Sequence, residues 1–399
     1  MAQSGHLGMP TLRSRQGLGE DQQVHSSGGP MKSVELFAGA GGLAIGTALA
    51  GFKHEAVVEW DHDACNTIRE NQGRGLPLVK AWSLHETDVS NFDYRAISAG
   101  IDLLSGGPPC QPFSMGGKHR GDSDKRNLFP EVFRAARELR PRAILVENVK
   151  GLTRPSFAEF FKYIELQLGS PEFLPRKGED WSDHLTRLKK HHPSSARKDL
   201  KYNVQYRVLN AANYGVPQKR ERVIFVAFRS DLPVEWNFPF PTHSLDAMLW
   251  QQWVTGEYWE RHGVAKSKRP NVPMKFASRV EGLRNSLLAP AERPWVTVRD
   301  ALAGLPDPEK KGSMETFLNH KFNPGARPYP GHTGSPLDEP GNTLKAGDHG
   351  VPGGENMLAH PDGRVRYFTV RESARLQTFP DDYAFEGAWS EAMRQLGNA

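Results

Sequence analysis

The chain has 399 residues and a formal net charge of +5, with only two cysteines, Cys65 and Cys110. That length can bury a large core and predicts two domains, while the cysteine count excludes a disulfide framework or a thiolate-rich zinc site and suits a reducing compartment. No apolar run approaches the roughly 20 residues of a membrane span and the amino terminus lacks a signal-peptide core, so a cytoplasmic protein is expected. The modest positive charge allows a nucleic-acid partner without requiring one.

Residues 1–30 are polar and rich in Ser, Gly and Gln, ending in Ser26-Ser27-Gly28-Gly29-Pro30 before Met31, which predicts a disordered tail. Order is expected from the strand Ser33-Val34-Glu35-Leu36-Phe37, followed by Ala38-Gly39-Ala40-Gly41-Gly42 and a helix over 43–50. A second strand, 56–60, ends in Glu59-Trp60-Asp61, and a helix follows over 63–71. A weaker strand leads to Thr87-Asp88-Val89. The apolar run 101–104 then stops at Ser105-Gly106-Gly107-Pro108-Pro109-Cys110-Gln111-Pro112-Phe113-Ser114, where two glycines and two prolines force a non-helical turn. Beyond a glycine-rich, charged loop over 116–127, a helix at 128–139 feeds the strand 143–146 and Glu147-Asn148-Val149. Strands alternating with helices at this spacing predict an α/β fold with a doubly wound, mostly parallel sheet.

The rhythm fails over 169–201, whose second half sets Arg187, Lys189, Lys190, Arg197, Lys198 and Lys201 against Asp199 alone. It reads as a basic surface insertion, either meeting phosphates or merely solvated. Runs at 202–209 and 222–228 flank Gln218-Lys219-Arg220-Glu221-Arg222 and suggest a hairpin at the sheet edge. From 232 to about 364 the βαβ rhythm is absent and Pro, Gly, Trp, His and basic residues are frequent, as expected of a smaller, irregular second domain. Residues 365–399 return to helical periodicity and rejoin 31–231.

Ligands of open α/β sheets sit beyond the carboxyl ends of the strands, which is where Cys110 falls, so its thiol is a nucleophile candidate. The turn at 38–42 suits close approach to a nucleotide-like ligand but lacks the Gly-Lys-Ser/Thr of a phosphate loop. Glu59, at the next strand end, stands where a carboxylate commonly accepts from ribose hydroxyls; Trp60 offers a face to an adenine and Asp88 an acceptor for an exocyclic amine. Packing for Trp60 and a helix cap for Asp88 are the plainer alternatives. Cys110 and Glu147 would end adjacent strands, with Arg220 and Arg222 alternating along one strand toward the same face. No histidine base accompanies them, so the set is unsuited to peptide hydrolysis and suits holding a pyrimidine edge while a thiolate attacks the ring.

Taken together, Phe37-Ala-Gly-Ala-Gly-Gly42, Glu59-Trp60-Asp61, Gly107-Pro-Pro-Cys-Gln111, Glu147-Asn-Val149, Gln218-Lys-Arg-Glu-Arg222, Arg371-Glu-Ser-Ala-Arg-Leu-Gln-Thr-Phe-Pro380 and Gln395-Leu-Gly-Asn-Ala399 resemble, in order, the blocks of the C5-cytosine DNA methyltransferases of bacterial restriction-modification systems. The resemblance spans 32–399 apart from the basic insertion. It implies a Rossmann-like methyltransferase domain using S-adenosylmethionine, with S-adenosylhomocysteine as product and no metal. Cys110 would attack C6 of a flipped-out cytosine, Glu147 would engage N3, and Arg222 would contact O2 with Arg220 in support. Phe37, Ala40, Gly42, Glu59, Trp60, Asp88, Gly107, Pro109, Leu128 and Asn398 would form the cofactor site. The loop 114–127, with Ser114, Gly116, Gly117, Lys118, Arg120 and Arg126, would close over the base. Residues 232–364 would recognise the target on double-stranded DNA, with Thr343 contacting the backbone and Lys266, Lys268, Arg269, Lys275, Arg279 and Arg284 adding affinity. A monomer is expected, with a functionally linked endonuclease as a further partner.

In that family Gly397-Asn398 is normally followed by Val-Pro and a helix beside the first turn, so the end at Ala399 implies a shortened chain or one that needs a partner. Two other readings are a tRNA cytosine-5 methyltransferase, which shares the Pro-Cys-Gln and Glu-Asn-Val chemistry, and an inactive DNA-binding relative.

Overall fold

A computed structural model describes residues 29–109, 127–191, 199–310, 317–328, 333–346 and 356–399. By its contacts the chain divides into residues 1–30 and Met31–Ala399, and the fold is that of the second unit. All but the last two residues of the expected tail lie outside the described residues.

The apolar runs of the first half become β1 (Lys32–Leu36), β2 (Lys53–Glu59), β3 (Leu84–Glu86), β4 (Leu103–Gly106) and β5 (Ala143–Val149). Between them run α1 (Gly42–Leu49), α2 (His62–Gly73) and α3 (Phe129–Leu139); α4 (Ala158–Gly169) and α5 (Trp181–Lys190) follow. Next come β6 (Tyr202–Asn210), the two-residue β7 (Gln218–Lys219) and β8 (Glu221–Arg229). Seven strands pair in the order β3-β2-β1-β4-β5-β8-β6. The first five are parallel, and β8 runs antiparallel to both β5 and β6, forming the expected hairpin at the sheet edge. Chain order reverses at β1 and β4: β2 and β3 lie to one side, β5, β8 and β6 to the other. A crevice opens outside the strand carboxyl ends at such a switch point.

Helices cover both faces. One core joins Leu36, Leu104 and Val146 of the sheet to Phe129 and Phe133 of α3, Phe160 and Ile164 of α4 and Leu185 and Leu188 of α5. The stretch 169–201, expected as a basic surface insertion, thus contains a helix whose inner face packs on this core. Trp181, His184, Leu185 and Leu188 recur at helical spacing, and Asp180 caps the first turn by accepting from the N–H groups of Ser182 and Asp183. Two of its cations are held by acids, Arg187 by Glu179 and Lys189 by Glu159. Arg197 and Lys198 lie outside the described residues.

After β8 the elements are short: β9 (His243–Ser244), α6 (Leu245–Trp253), α7 (Glu257–Arg261), α8 (Ala277–Arg284), β10 (Arg293–Pro294), α9 (Val298–Leu302), β11 (Ser335–Pro336), β12 (Gly341–Asn342), β13 (Met357–Ala359) and β14 (Val365–Tyr367). α6 and α8 share a small cluster of Met248, Leu249 and Val280. Val298, Leu344 and Leu358 instead join the second core, on the opposite sheet face, with Ala44 and Ile45 of α1 and Ile68 of α2. The last helices, α10 (Val370–Leu376) and α11 (Trp389–Asn398), complete that core through Ala374, Leu376, Met393 and Leu396.

One polar group sits where the pattern calls for an apolar one. Glu35 of β1 is fully buried, its carboxyl accepts from the Ser105 hydroxyl on β4, and its other oxygen has no partner. Burial pushes its pKa up to about 8, against the lowering effect of Ser105. Because the folded value lies above the unfolded one, the stability that Glu35 permits is fully present below the ordinary carboxyl value of 4.5 and is lost as pH rises toward 8. Thermal unfolding across this range should therefore show Glu35→Gln equal to wild type at the acid end and more stable, by on the order of a few kcal/mol, at the alkaline end. A stability difference independent of pH would contradict a buried, protonated Glu35.

Candidate active site

The turn after β1 leaves the sheet at once. Phe37 has φ 56° and Gly41 φ 87°, both left-handed; at Gly41 a side chain would also stand 2.9 Å from the Trp82 ring. A non-glycine residue in that region is strained, and Phe37 bears this strain at the mouth of the crevice. The turn is braced from beneath by Tyr383, whose hydroxyl donates to the Ala40 carbonyl at 2.7 Å. Ala40 itself is buried, and a side chain at Gly42 would meet Ala399 at 3.0 Å.

Glu59, at the end of β2, lies next to this turn. Its Oε2 accepts from Gly39 N at 2.7 Å and its Oε1 from Trp60 N and Asp61 N at 2.9 and 2.8 Å. Burial raises its pKa, the N–H groups of Asp61, Gly39 and Trp60 oppose that, and the Asp61 charge adds to the rise. Trp60 is 74% exposed, an indole left in solvent beside an almost buried carboxylate. Asp88, after β3, is exposed and spends one oxygen on a cap, accepting from Ser90 N at 2.8 Å. Asn398 is exposed at the end of α11.

On the other side of the switch point β4 lies between β1 and β5. At Gly106 a side chain would come within 2.6 Å of the Leu36 carbonyl, so only glycine lets the strands close here. A Cβ at Gly107 would stand 3.2 Å from Glu147 Oε2, which places that carboxylate over the start of the Gly-Pro-Pro-Cys turn. Glu147 Oε1 is 2.5 Å from Arg222 Nε. Arg222 pairs with Val149 across the β5–β8 ladder, a diagonal neighbour of Glu147 on the same face. Burial lowers the Arg222 pKa, and Glu147 opposes the fall. Arg220, deeper, is driven down to about 9 by burial first and by the Arg222 charge second, with Glu147 opposing. It donates to the Gly397 carbonyl on α11 at 3.3 and 3.4 Å.

Sequence reasoning grouped Glu147 with Arg220 and Arg222, and Gly107 with the turn at 37–42, Glu59 and Trp60; the structure sets Gly107 beside Glu147, and both groups lie along the carboxyl edge of the parallel strands, on either side of the switch point. It gave no role to Asn148, whose amide donates to the Pro108 carbonyl at 2.9 Å while its Oδ1 accepts from Val149 N. The Pro109 carbonyl accepts from Leu128 N at 3.3 Å, so the turn is tied on both sides. Cys110, Ser114, Lys118, Arg120 and Arg126 lie outside the described residues. Thr343 uses its hydroxyl within the fold, donating to the Lys219 carbonyl at 2.6 Å beside the pairing of β12 with β7. Of the cations expected to add affinity, Arg269 pairs with Glu260, Lys275 with Glu339 and Arg279 with Asp246, and Arg284 donates to the Trp253 carbonyl.

Comparison with known proteins agrees with this arrangement. Among solved structures, a prophage-encoded DNA modification methyltransferase (E. coli) aligns with TM-score 0.55 at 21% identity, covering 92% of this chain and 94% of that one. The S. pombe Dnmt2 methyltransferase aligns with TM-score 0.51 at 17% identity over 92% and 94%. These likenesses concern the fold. In sequence, the Type II methyltransferase M.Eco47II of Escherichia coli is 34% identical over 375 residues, covering 92% of this chain and 75% of that protein. M.NgoMIV of Neisseria gonorrhoeae is 31% identical over 376 residues, 92% of each. The model for C-5 cytosine-specific DNA methylase matches residues 31–173 and 194–399, interrupted only across the stretch that holds α5. With that match running through both ends of the crevice, the chain belongs to the C-5 cytosine-specific DNA methylase family and is a DNA cytosine-C5 methyltransferase.

Proposed function

We propose that this enzyme methylates cytosine within a particular sequence of double-stranded DNA through Cys110, in a crevice whose two ends hold the base and the methyl donor. The reading rests above all on the Glu147–Arg222 ion pair standing over Gly107, three residues before the cysteine. A cytosine inside a duplex hides its C6, so the base must be extruded, at a cost of a few kcal/mol of unstacking. A proton shared between Glu147 and N3, with Arg222 donating to O2, then draws electron density from the ring. The Cys110 thiolate bonds to C6, leaving negative charge at C5, which takes up a methyl group. Loss of the C5 proton and expulsion of Cys110 restore the aromatic ring. Covalent attack divides one difficult substitution into easier steps.

Members of this family use S-adenosylmethionine as the methyl donor, and the residues at the other end suit it. Glu59 would accept from the ribose hydroxyls and the exposed Trp60 would lie against the adenine, with Asp88 at the exocyclic amine. Backbone at Phe37, Ala40, Gly42, Gly107 and Pro109, with Leu128 and Asn398, would line the remainder. When bound, the sulfonium supplies an activated methyl group. The crevice left by the Phe37–Gly41 turn and the uncovered Trp60 support this fit.

Residues 232–364 would select the sequence. Ser114, Lys118, Arg120 and Arg126 would follow the base, and Thr343 would support the backbone through Lys219. The relatives' designation as Type II methyltransferases supports a role in protecting host DNA beside an endonuclease. No particular observation favours tRNA as substrate, and the retention of Glu147, Arg220 and Arg222 in one cluster speaks against an inactive relative.

Duplex DNA carrying 5-fluorocytosine, whose C5 has no proton to lose, should form a lasting adduct with the enzyme and S-adenosylmethionine, visible as a shifted band under denaturing conditions. Cys110→Ser should form none; equal trapping by both would overturn the assignment. Asn148→Asp replaces a donor with an acceptor opposite the Pro108 carbonyl and should slow trapping by about 100-fold, the scale of a misplacement near 1 Å, with DNA affinity unchanged. An unchanged trapping rate would remove Asn148 from the site. Replacing 232–364 with the corresponding segment of M.NgoMIV should change which sequence resists cleavage in expressed plasmid, whereas an unaltered target would place recognition elsewhere.

A further inference from the structure

We propose that Arg394, on the carboxyl-terminal helix, is a positioning residue of the cofactor site: it pins and neutralises Asp61, whose backbone N–H in turn fixes the Glu59 carboxylate. This deepens the assignment of Glu59 to the ribose and rests on it. Neither the motif blocks nor the catalytic cluster contains this arginine's partners as a set, and they come from opposite ends of the chain.

The geometry is specific. Arg394 Nη1 lies 2.6 Å from Asp61 Oδ2, and Nη2 lies 3.2 Å from Asp63 Oδ2 and 2.7 Å from Glu391 Oε2. Asp61 has two further duties: Oδ1 caps α2 by accepting from Ala64 N at 2.9 Å, and its own N–H donates to Glu59 Oε1 at 2.8 Å. A planar guanidinium meets such a set of carboxylates through several charge-assisted bonds at once. Burial works against the Asp61 carboxylate, yet the Arg394 hydrogen bond and the Ala64 N–H hold its pKa below the usual range. Asp61 is thus charged, one residue from Trp60 and two from Glu59. That charge is among the influences raising the pKa of Glu59.

The remaining groups nearby leave Arg394 as the countercharge that matters. The Cys65 thiol, which donates to the Glu59 carbonyl at 3.6 Å, is pushed up to about 12 by burial and then by the Glu59 charge, so it stays neutral. Glu86 is engaged by Arg69 at 2.5 Å and by His62 at 2.8 Å. Asp63 and Glu391 add negative charge around Arg394 itself. Without Arg394, Asp61 would lose the guanidinium that offsets its charge, and the protonated form of Glu59 would be favoured further.

The sign follows directly. A charged Glu59 accepts from ribose hydroxyls, so cofactor affinity falls as pH drops through its raised pKa. Removing Arg394 should move that fall to higher pH.

Isothermal titration of the full chain with S-adenosylhomocysteine from pH 5 to 8 tests this. Arg394→Met should weaken binding about tenfold near neutral pH and shift the acid fall upward by roughly one unit, while Arg394→Lys should recover most of the affinity. Asp61→Asn combined with Arg394→Met keeps a capping side chain and removes both charges, so it should bring the acid fall back toward wild type. A double variant no better than Arg394→Met would reduce Arg394 to a strut, and wild-type binding by Arg394→Met would dismiss it entirely. Glu59→Gln separates the two levels. Should it lose affinity while Arg394→Met does not, only the inference fails; should Glu59→Gln bind like wild type, the cofactor reading of Glu59 fails and the inference with it.

Discussion

The site depends on how tightly β4 is seated between β1 and β5. Gly106 allows the Leu36 carbonyl to approach to where any Cβ would collide, and Ser105 and Glu35 bond across the neighbouring rung. Because the strands are parallel and in fixed register, the three chains that leave their carboxyl ends must diverge from one point. One becomes the strained Phe37 turn, one the Gly-Pro-Pro-Cys turn and one Glu147-Asn148-Val149. The second is held near its start by a buried amide, Asn148 on Pro108, and by Leu128 N on the Pro109 carbonyl. A buried donor left unpaired costs about 1–3 kcal/mol, so the prolines are held in place by the penalty for letting go as much as by the bond itself.

Charge is concentrated where the fold can least solvate it. Arg220 and Arg222 are within reach of one another and share Glu147, and burial weakens the hold of both on their protons. Such an arrangement is a poor means of stabilising a protein, since desolvation offsets most of the Coulomb attraction. Perturbed groups of this kind gather at functional sites, and the same crowding explains how the cluster would act on an uncharged ring. A polar edge placed against Glu147 and Arg222 meets donors and acceptors that have already lost their water and need little reorganisation. Glu35 is the contrasting case: a carboxyl buried more deeply still, with only a hydroxyl for company, and with its pKa pushed up by that burial.

Much of this was legible in the residues because strand ends announce themselves. An apolar run that stops at Gly, Pro or an acid marks where a side chain emerges, and Glu59, Glu147 and the Gly-Pro-Pro-Cys turn all stand at such stops. The sheet was readable for the same reason. What escaped were residues whose role depends on partners distant in sequence. Asn148 looks like filler between Glu147 and Val149 until Pro108 lies beneath it. Arg394 looks like a solvated cation on an amphipathic helix, though its partners Asp61 and Asp63 sit more than 300 residues away. The helix α5 was missed for another cause. Trp181, His184, Leu185 and Leu188 do carry the helical period, but Arg187, Lys189 and Lys190 drew attention to charge, and charge says little about whether the opposite face is buried. The cations of 232–364 mislead in the same way, since several are matched by acids that no local pattern reveals.

The carboxyl-terminal helix ties these observations into one piece. Its Gly397 carbonyl takes the Arg220 guanidinium beside Arg222 and Glu147, its Gln395 accepts from Thr67 on α2, and its Arg394 holds Asp61 beside Glu59. Gln377, just past α10, donates to the Leu396 carbonyl, so α10 is attached to the same strut. Because packed helices yield little, α11 holds these contacts at a fixed separation. Residues 389–399 thus bring a cation to Asp61, beside Glu59, and a carbonyl to Arg220, beside Arg222.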